Sequence, residues 1–187
     1  MMKTSKLTTM SMLIALSITL VMLIHFPIVP AVPFMEYDPA DIPMLIGSFA
    51  FGPAAGLAVS IVAAVIQGVS VSAASGAYGI IMHIAAVGTY VVVAGTIYRR
   101  NKTLKTAAAA LIIGAIARVA VMIPANLIIT PIFMGTPVEA VLSLMLPGII
   151  PFNLFSASIN GLAAFLMYKP VMGVLRAAGI DKGSVEI

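Results

Sequence analysis

The stretch Asp41-Ile42-Pro43-Met44-Leu45-Ile46-Gly47-Ser48-Phe49-Ala50-Phe51-Gly52-Pro53-Ala54-Ala55-Gly56-Leu57-Ala58-Val59-Ser60-Ile61-Val62-Ala63-Ala64-Val65-Ile66-Gln67 decides the fold. After Asp41 it carries no charge, yet Gly52-Pro53 interrupts it. Proline lacks the backbone donor that a helix interior needs, and it biases the preceding residue away from helical geometry. Two readings compete: one kinked span, or two short helices joined by a tight turn at Phe51-Gly52-Pro53. Each half has about 11 to 15 residues, fewer than the roughly 20 that cross a bilayer upright. A bundle shelters such short segments when other helices surround them.

Moving outward, apolar runs lie on both sides. The first covers about 7–25, behind Lys3 and Lys6, and ends at Phe26-Pro27. No small-residue cleavage site follows before Pro27, so it reads as a retained first helix and not a removed signal. An outer loop over 26–41 contains Pro27, Pro30 and Pro33, then Glu36, Asp38 and Asp41. Asp41 is a candidate N-cap, with Pro43 tolerated in the first turn of the next helix. The Ser-, Ala- and Gly-rich stretch from Gly68 to Gly79 reads as a loop. Further spans are expected over about 79–98, 106–130 and 147–169, with a short amphipathic surface helix from Pro137 to Leu146. The chain would then be one transmembrane domain over 1–187 with helices at about 7–25, 42–52, 53–68, 79–98, 106–130 and 147–169.

Charge arbitrates the helix count. If Gly52-Pro53 is a turn, there are six helices and both termini lie on the cytoplasmic side. Nine of the ten Lys and Arg residues then face the cytoplasm: Lys3, Lys6, Arg99, Arg100, Lys102, Lys105, Lys169, Arg176 and Lys182. Glu36, Asp38, Asp41 and Glu139 fall outside. One kinked span would split the basic clusters across the membrane, against the positive-inside rule. The expectation is an all-α integral membrane protein with six transmembrane helices.

Composition agrees. Apolar residues are 61% of 187 and charged residues 9%, where a soluble fold carries about 25%. The net charge of +4 sits at the ends of apolar segments, so it reports topology and not nucleic-acid binding. With no cysteine, disulfides and thiolate chemistry are excluded. No phosphate-cradling loop ending in Lys-Ser/Thr is present, so the chain does not read as an ATPase. No His/Asp/Glu cluster has metal-ligand spacing, and Asp38 and Asp41, split by Pro39, read as loop capping. An enzyme is therefore not expected, nor a metal or cofactor.

The polar residues inside the spans are the functional candidates. His83, Asn126 and Asn153 fall at one depth near the outer ends of their helices, where amides and an imidazole can both donate to and accept from a polar heterocycle. Asn160 lies one to two turns deeper, in a position to bridge helices. Arg118 sits within the fifth span with no acid in the spans to pair with it, so ligand or freed carbonyls are its candidate partners. Ser11, Ala15 and Thr19 share one face of the first helix, and small residues allow close helix approach. Internal packing and docking of a partner are both open for that face.

The run Phe34-Met35-Glu36-Tyr37-Asp38-Pro39-Ala40-Asp41-Ile42-Pro43-Met44-Leu45-Ile46-Gly47, leading to Phe51-Gly52-Pro53, resembles the first loop and second helix of riboflavin-specific S-components of energy-coupling-factor (ECF) transporters. Pro124-Ala125-Asn126 and Pro151-Phe152-Asn153-Leu154 are similar to that family's fifth and sixth helices. The likeness runs from the first helix to about Tyr168. It implies a six-helix subunit of a prokaryotic cell membrane that binds riboflavin in an outward-facing pocket and docks on a transmembrane coupling subunit carrying two ATPases. By that resemblance Met35, Tyr37, Asp38, His83, Asn126 and Asn153 become ligand-binding candidates, and Ser11, Ala15 and Thr19 the docking face. Many members carry Lys three residues after the helix-six Asn, where this chain has Ser156; a cationic donor is replaced by a hydroxyl, and Ser156 is the seventh ligand-binding candidate. Other readings are an S-component for a different vitamin, an intramembrane enzyme acting on a lipid headgroup, and a purely structural membrane subunit.

Overall fold

A computed structural model describes residues 2–177; Lys182, counted above among the basic residues, and the polar tail beyond Ala177 lie outside the described residues. The chain is helical almost throughout. Helix α1 (Met2–Leu23) leads into a two-stranded ribbon, β1 (Phe26–Pro27) antiparallel to β2 (Glu36–Tyr37), with Phe26 opposite Tyr37. Then come α2 (Asp41–Phe51), α3 (Pro53–Val69), a 3-10 turn (Ala73–Ser75), α4 (Gly76–Arg100) and α5 (Leu104–Met134). The short α6 (Val138–Leu144), a π-helical turn (Met145–Ile149) and α7 (Ile150–Ala177) complete it. The segment read as a loop from Gly68 to Gly79 is mostly helical: only about one turn separates α3 from the 3-10 turn, and α4 begins at Gly76.

Among the described residues, four stretches are long and apolar enough to cross a membrane: Thr4–Leu23, Ala73–Arg100, Leu104–Met134 and Val138–Val174; α2 and α3 are apolar but shorter. Between those two, Gly52 adopts φ 93°, outside the range an L side chain favours, and Pro53 occupies the first position of α3. Proline is pre-shaped for that position, because the first N–H of a helix has no intrahelical acceptor. Helix α2 is the most enclosed element, buried continuously from Asp41 to Phe49. Its Ser48 hydroxyl donates to the Val91 carbonyl at 2.6 Å, and a Cβ on Gly56 or Gly95 would collide with Ser48. Small residues thus let α2, α3 and α4 approach closely, the main source of helix affinity where lipid already solvates apolar side chains.

Helix α5 is started by Thr103, whose hydroxyl accepts from the Thr106 N–H, and ended by Gly135 in the left-handed conformation. It passes through Pro124 and Pro131 without ending, as membrane helices can when neighbouring groups satisfy the freed backbone. The core runs along α2, α4, α5 and α7. Leu7, Ile112, Ile128, Leu162 and Leu166 face outward, each at least 60% exposed. In water such a surface would aggregate; in hydrocarbon it is solvated.

Candidate functional site

The two ends of the bundle differ. At the end holding the ribbon, a cavity of about 530 Å³ opens between the loop over 26–40 and helices α3, α4, α5 and α7. At the opposite end, Phe49 stacks on Tyr98 at 4.4 Å and both rings meet Tyr168 edge-on. A smaller hollow of about 200 Å³ lies beside those rings. Tyr90 sits between the two in depth. It is 1% exposed and its hydroxyl donates to the Ala157 carbonyl at 3.0 Å. A Cβ on Gly161 would land on that hydroxyl, and one on Gly114 would stand 2.7 Å from the ring. Two glycines on facing helices, Gly114 on α5 and Gly161 on α7, therefore admit the ring, about one turn along α4 from Ala86 in the cavity wall.

The roof is held by long-range hydrogen bonds. Ser17 on α1 donates to the Ala40 carbonyl at 2.9 Å. Tyr37 donates to Asn160 Oδ1 at 3.0 Å, and Asn160 Nδ2 returns a bond to the Asp38 carbonyl at 2.9 Å. Asn160 thus ties α7 to the loop. Val32, fully buried, packs with Tyr37, Val141, Met145, Ile149 and Phe152 in a second apolar cluster. This clamps the loop onto the α6–α7 corner, where Gly148 leaves room for the Val32 side chain.

Six of the seven residues singled out for ligand binding line the cavity: Met35, Asp38, His83, Asn126, Asn153 and Ser156. Tyr37 does not. Its ring is buried against Phe26, 5.7 Å between centroids, and its hydroxyl is engaged by Asn160. Its place is in the roof. The side chains of Ser11, Ala15 and Thr19 are exposed on one face of α1, away from the cavity.

Arg118 requires a correction. The sequence reading found no acid for it, yet its Nη1 donates to Asp41 Oδ2 at 2.7 Å. Both are buried, 5% and 3% exposed. Asp41 is not the N-cap of α2; that position is Ala40, and Asp41 opens the first turn with its carboxylate turned into the bundle. The remaining Arg118 nitrogens reach Asn153 Oδ1 at 3.4 Å and Ser156 Oγ at 3.5 Å. Arg118 thus joins α2, α5 and α7, and its charge is neutralised where desolvation would otherwise be severe. His83 Nε2 stands 3.9 Å from Asp41 Oδ1, beyond hydrogen-bond range.

At the roof, Asp38 Oδ1 accepts from the Ala40 N–H at 2.8 Å. Its carboxyl is nevertheless pushed up to about 7, first by desolvation and then by the Asp41 charge, against the pull of that N–H, of Arg118 and of His25. Tyr37 is pushed above the ordinary phenol range, mainly by burial. The site is a mixed polar and apolar recess. Among the described residues no group of three His, Cys, Asp or Glu side chains could hold a metal.

Sequence reasoning missed two features of the recess: Asp41 was hidden by its capping context, and Thr130 reads as an ordinary helix residue. Gln67, at the end of α3, is legible as a polar residue in apolar surroundings, but its neighbours in the chain assign it no role.

Comparison with known proteins gives a consistent result. The sequence pattern of the family described as "ECF transporter, substrate-specific component" matches residues 5–168. The chain is 26% identical over 182 residues to the riboflavin transporter RibU of Staphylococcus aureus (strain TCH60), covering 94% of this chain and 95% of the relative. It is 27% identical over 191 residues to the riboflavin transporter FmnP of Bacillus subtilis (strain 168), covering 96% and 100%. Among solved structures, the S component of a bacterial ECF transporter superposes with TM-score 0.81 at 28% identity, over 92% of this chain and 98% of that one.

Proposed function

Because this chain belongs to the family of ECF transporter substrate-specific components, we propose that it is the riboflavin-capturing membrane subunit of a bacterial vitamin importer. The observation that carries this reading is the shape of the recess. A volume of about 530 Å³ falls in the range of small-molecule sites, roughly 300–1,000 Å³. Apolar walls suit the faces of a flat heteroaromatic ring, and the polar groups of α4, α5 and α7 suit its edge and a hydroxylated side chain. The relatives named as riboflavin transporters make flavin the ligand of choice. The family consists of transport subunits, so the chain is a membrane transport protein and not an enzyme.

Six crossing segments with both ends cytoplasmic remain our reading of topology. Its support is the gathering of Arg99, Arg100, Lys102, Lys105 and Lys169 at the end away from the recess. Helix α2, at about 1.5 Å per residue, is too short to span alone and relies on its neighbours for cover. The recess then faces outward. Chemical work is assigned to a transmembrane coupling subunit and two ATPases, with the exposed Ser11, Ala15 and Thr19 face of α1 as the contact. Riboflavin is cargo, and no cofactor is called for.

The test is direct. Protein purified in detergent should quench riboflavin fluorescence to a sharp end point near one ligand per chain. A titration without saturation at micromolar protein would overturn the flavin assignment. A panel of other vitamins in competition would then identify a different ligand.

A further inference from the structure

The polar groups around the recess are not equally available to a ligand. Asn126 Nδ2 donates to the Met122 carbonyl at 2.8 Å, and its Oδ1 accepts from Thr130 at 2.9 Å. Asn153 Nδ2 donates to the Ile149 carbonyl at 2.9 Å, while its Oδ1 faces Arg118. Each Arg118 nitrogen already has a protein acceptor. The α5 and α7 walls have therefore largely satisfied themselves.

The α3–α4 wall has not. Gln67, in the last turn of α3, lines the recess and is 4% exposed, yet its Nε2 is buried without an acceptor among the described residues. Its backbone carbonyl holds the following turn through the Ser70 and Ser72 N–H groups, so the residue is fixed in place. His83 Nε2, on α4 in the same wall, is also buried without a hydrogen-bond partner. Buried polar atoms in native proteins nearly always have partners, and an orphan asks for one.

We propose that Gln67 is a specificity-determining residue of the recess, donating its amide N–H to an acceptor on the ring edge of the bound heterocycle, with His83 as the second contact. The polar edge of the ring then lies against α3 and α4. This rests on the flavin reading above and adds α3 to the binding walls. Sites built to hydrogen-bond a substrate group discriminate strongly against analogues lacking it, because the site's own polar atom is left unpaired. The ring carbonyls of a flavin are acceptors of the required kind.

The experiment is isothermal titration calorimetry of detergent-purified wild type and Gln67→Leu with three ligands: riboflavin and its 2-thio and 4-thio analogues, in which sulfur, a weak acceptor, replaces one ring oxygen. Wild type should prefer riboflavin over at least one thio analogue. Gln67→Leu should bind riboflavin about tenfold or more weakly, the loss expected for one buried hydrogen bond. It should bind that same thio analogue nearly as well as wild type does, so the preference collapses. An unchanged riboflavin affinity, or equal weakening for all three ligands, would overturn the role of Gln67 while leaving the flavin assignment intact. Wild type that binds none of the three would overturn both. Gln67→Met, which keeps the length and lacks the donor, repeats the test if the leucine variant aggregates.

Discussion

The two ends of this bundle solve opposite problems with the same helices. At one end α4, α5 and α7 splay around a recess carrying Asp38, Asp41, His83 and Arg118. At the other they close on the Phe49, Tyr98 and Tyr168 rings, and Lys6 Nζ lies 5.9 Å from the centre of the Phe51 ring. Tyr90 marks the boundary. The difference teaches how a small membrane protein holds a polar chamber open. At the open end the buried Arg118 charge is balanced by Asp41 inside the bundle, and at the boundary the Tyr90 ring packs over Gly114 and Gly161.

The largest effect should come from unbalancing the open end. Arg118→Met leaves the Asp41 carboxylate buried without its partner, which costs about 3–5 kcal/mol when one member of a buried pair is removed. Thermal unfolding in detergent should register a large loss of stability, and adding Asp41→Asn should recover most of it. A double variant as unstable as the single one would show that the pair is not the balancing element.

A smaller effect is expected at Tyr90. Gly161→Ala puts a methyl group onto the Tyr90 hydroxyl, and overpacking of this kind costs about 1–3 kcal/mol. Adding Tyr90→Phe removes the atom that is struck and should restore part of the loss. No rescue would mean that Tyr90 does not set the spacing of α5 and α7.

The smallest effect concerns the roof. Asp38 titrates near 7 in the folded protein, above the roughly 3.9 of an unperturbed carboxyl. Between these values the folded state holds more protons than the unfolded state. Its contribution to stability is therefore full below about pH 4 and is lost as pH rises through 7. The half-buried carboxyl is partly screened, which limits the total to about 1 kcal/mol or less. Asp38→Asn should flatten the fall in melting temperature between pH 5 and 8. A variant with the wild-type slope would assign the titration elsewhere.

What the residues alone disclose follows the same division. The corner at Gly52-Pro53 is legible because both residues have backbone constraints that act locally. The common depth of His83, Asn126 and Asn153 is legible too, since counting from the ends of apolar runs measures depth, and all three line the recess. Pairings across the bundle are not. Asp41 and Arg118 are 77 residues apart, and Tyr37 and Asn160 are 123 apart. Between two prolines, Asp41 looks like a cap, and only the packed helices show its carboxylate turned inward. Nor does periodicity reveal that the Asn126 and Asn153 amides are taken up by their own helices, which shifts attention to Gln67. Local backbone chemistry is written in neighbouring residues; the satisfaction of side chains is a property of the assembled bundle.

The recess at the ribbon end and the aromatic cluster at the other fit a subunit that holds cargo and leaves its movement to partners. Liposomes reconstituted with this chain alone and given radiolabelled riboflavin outside should take up label only in proportion to the protein present, all of it displaceable by unlabelled vitamin. Progressive accumulation inside the vesicles above the external concentration, without coupling subunit or ATPases, would contradict it.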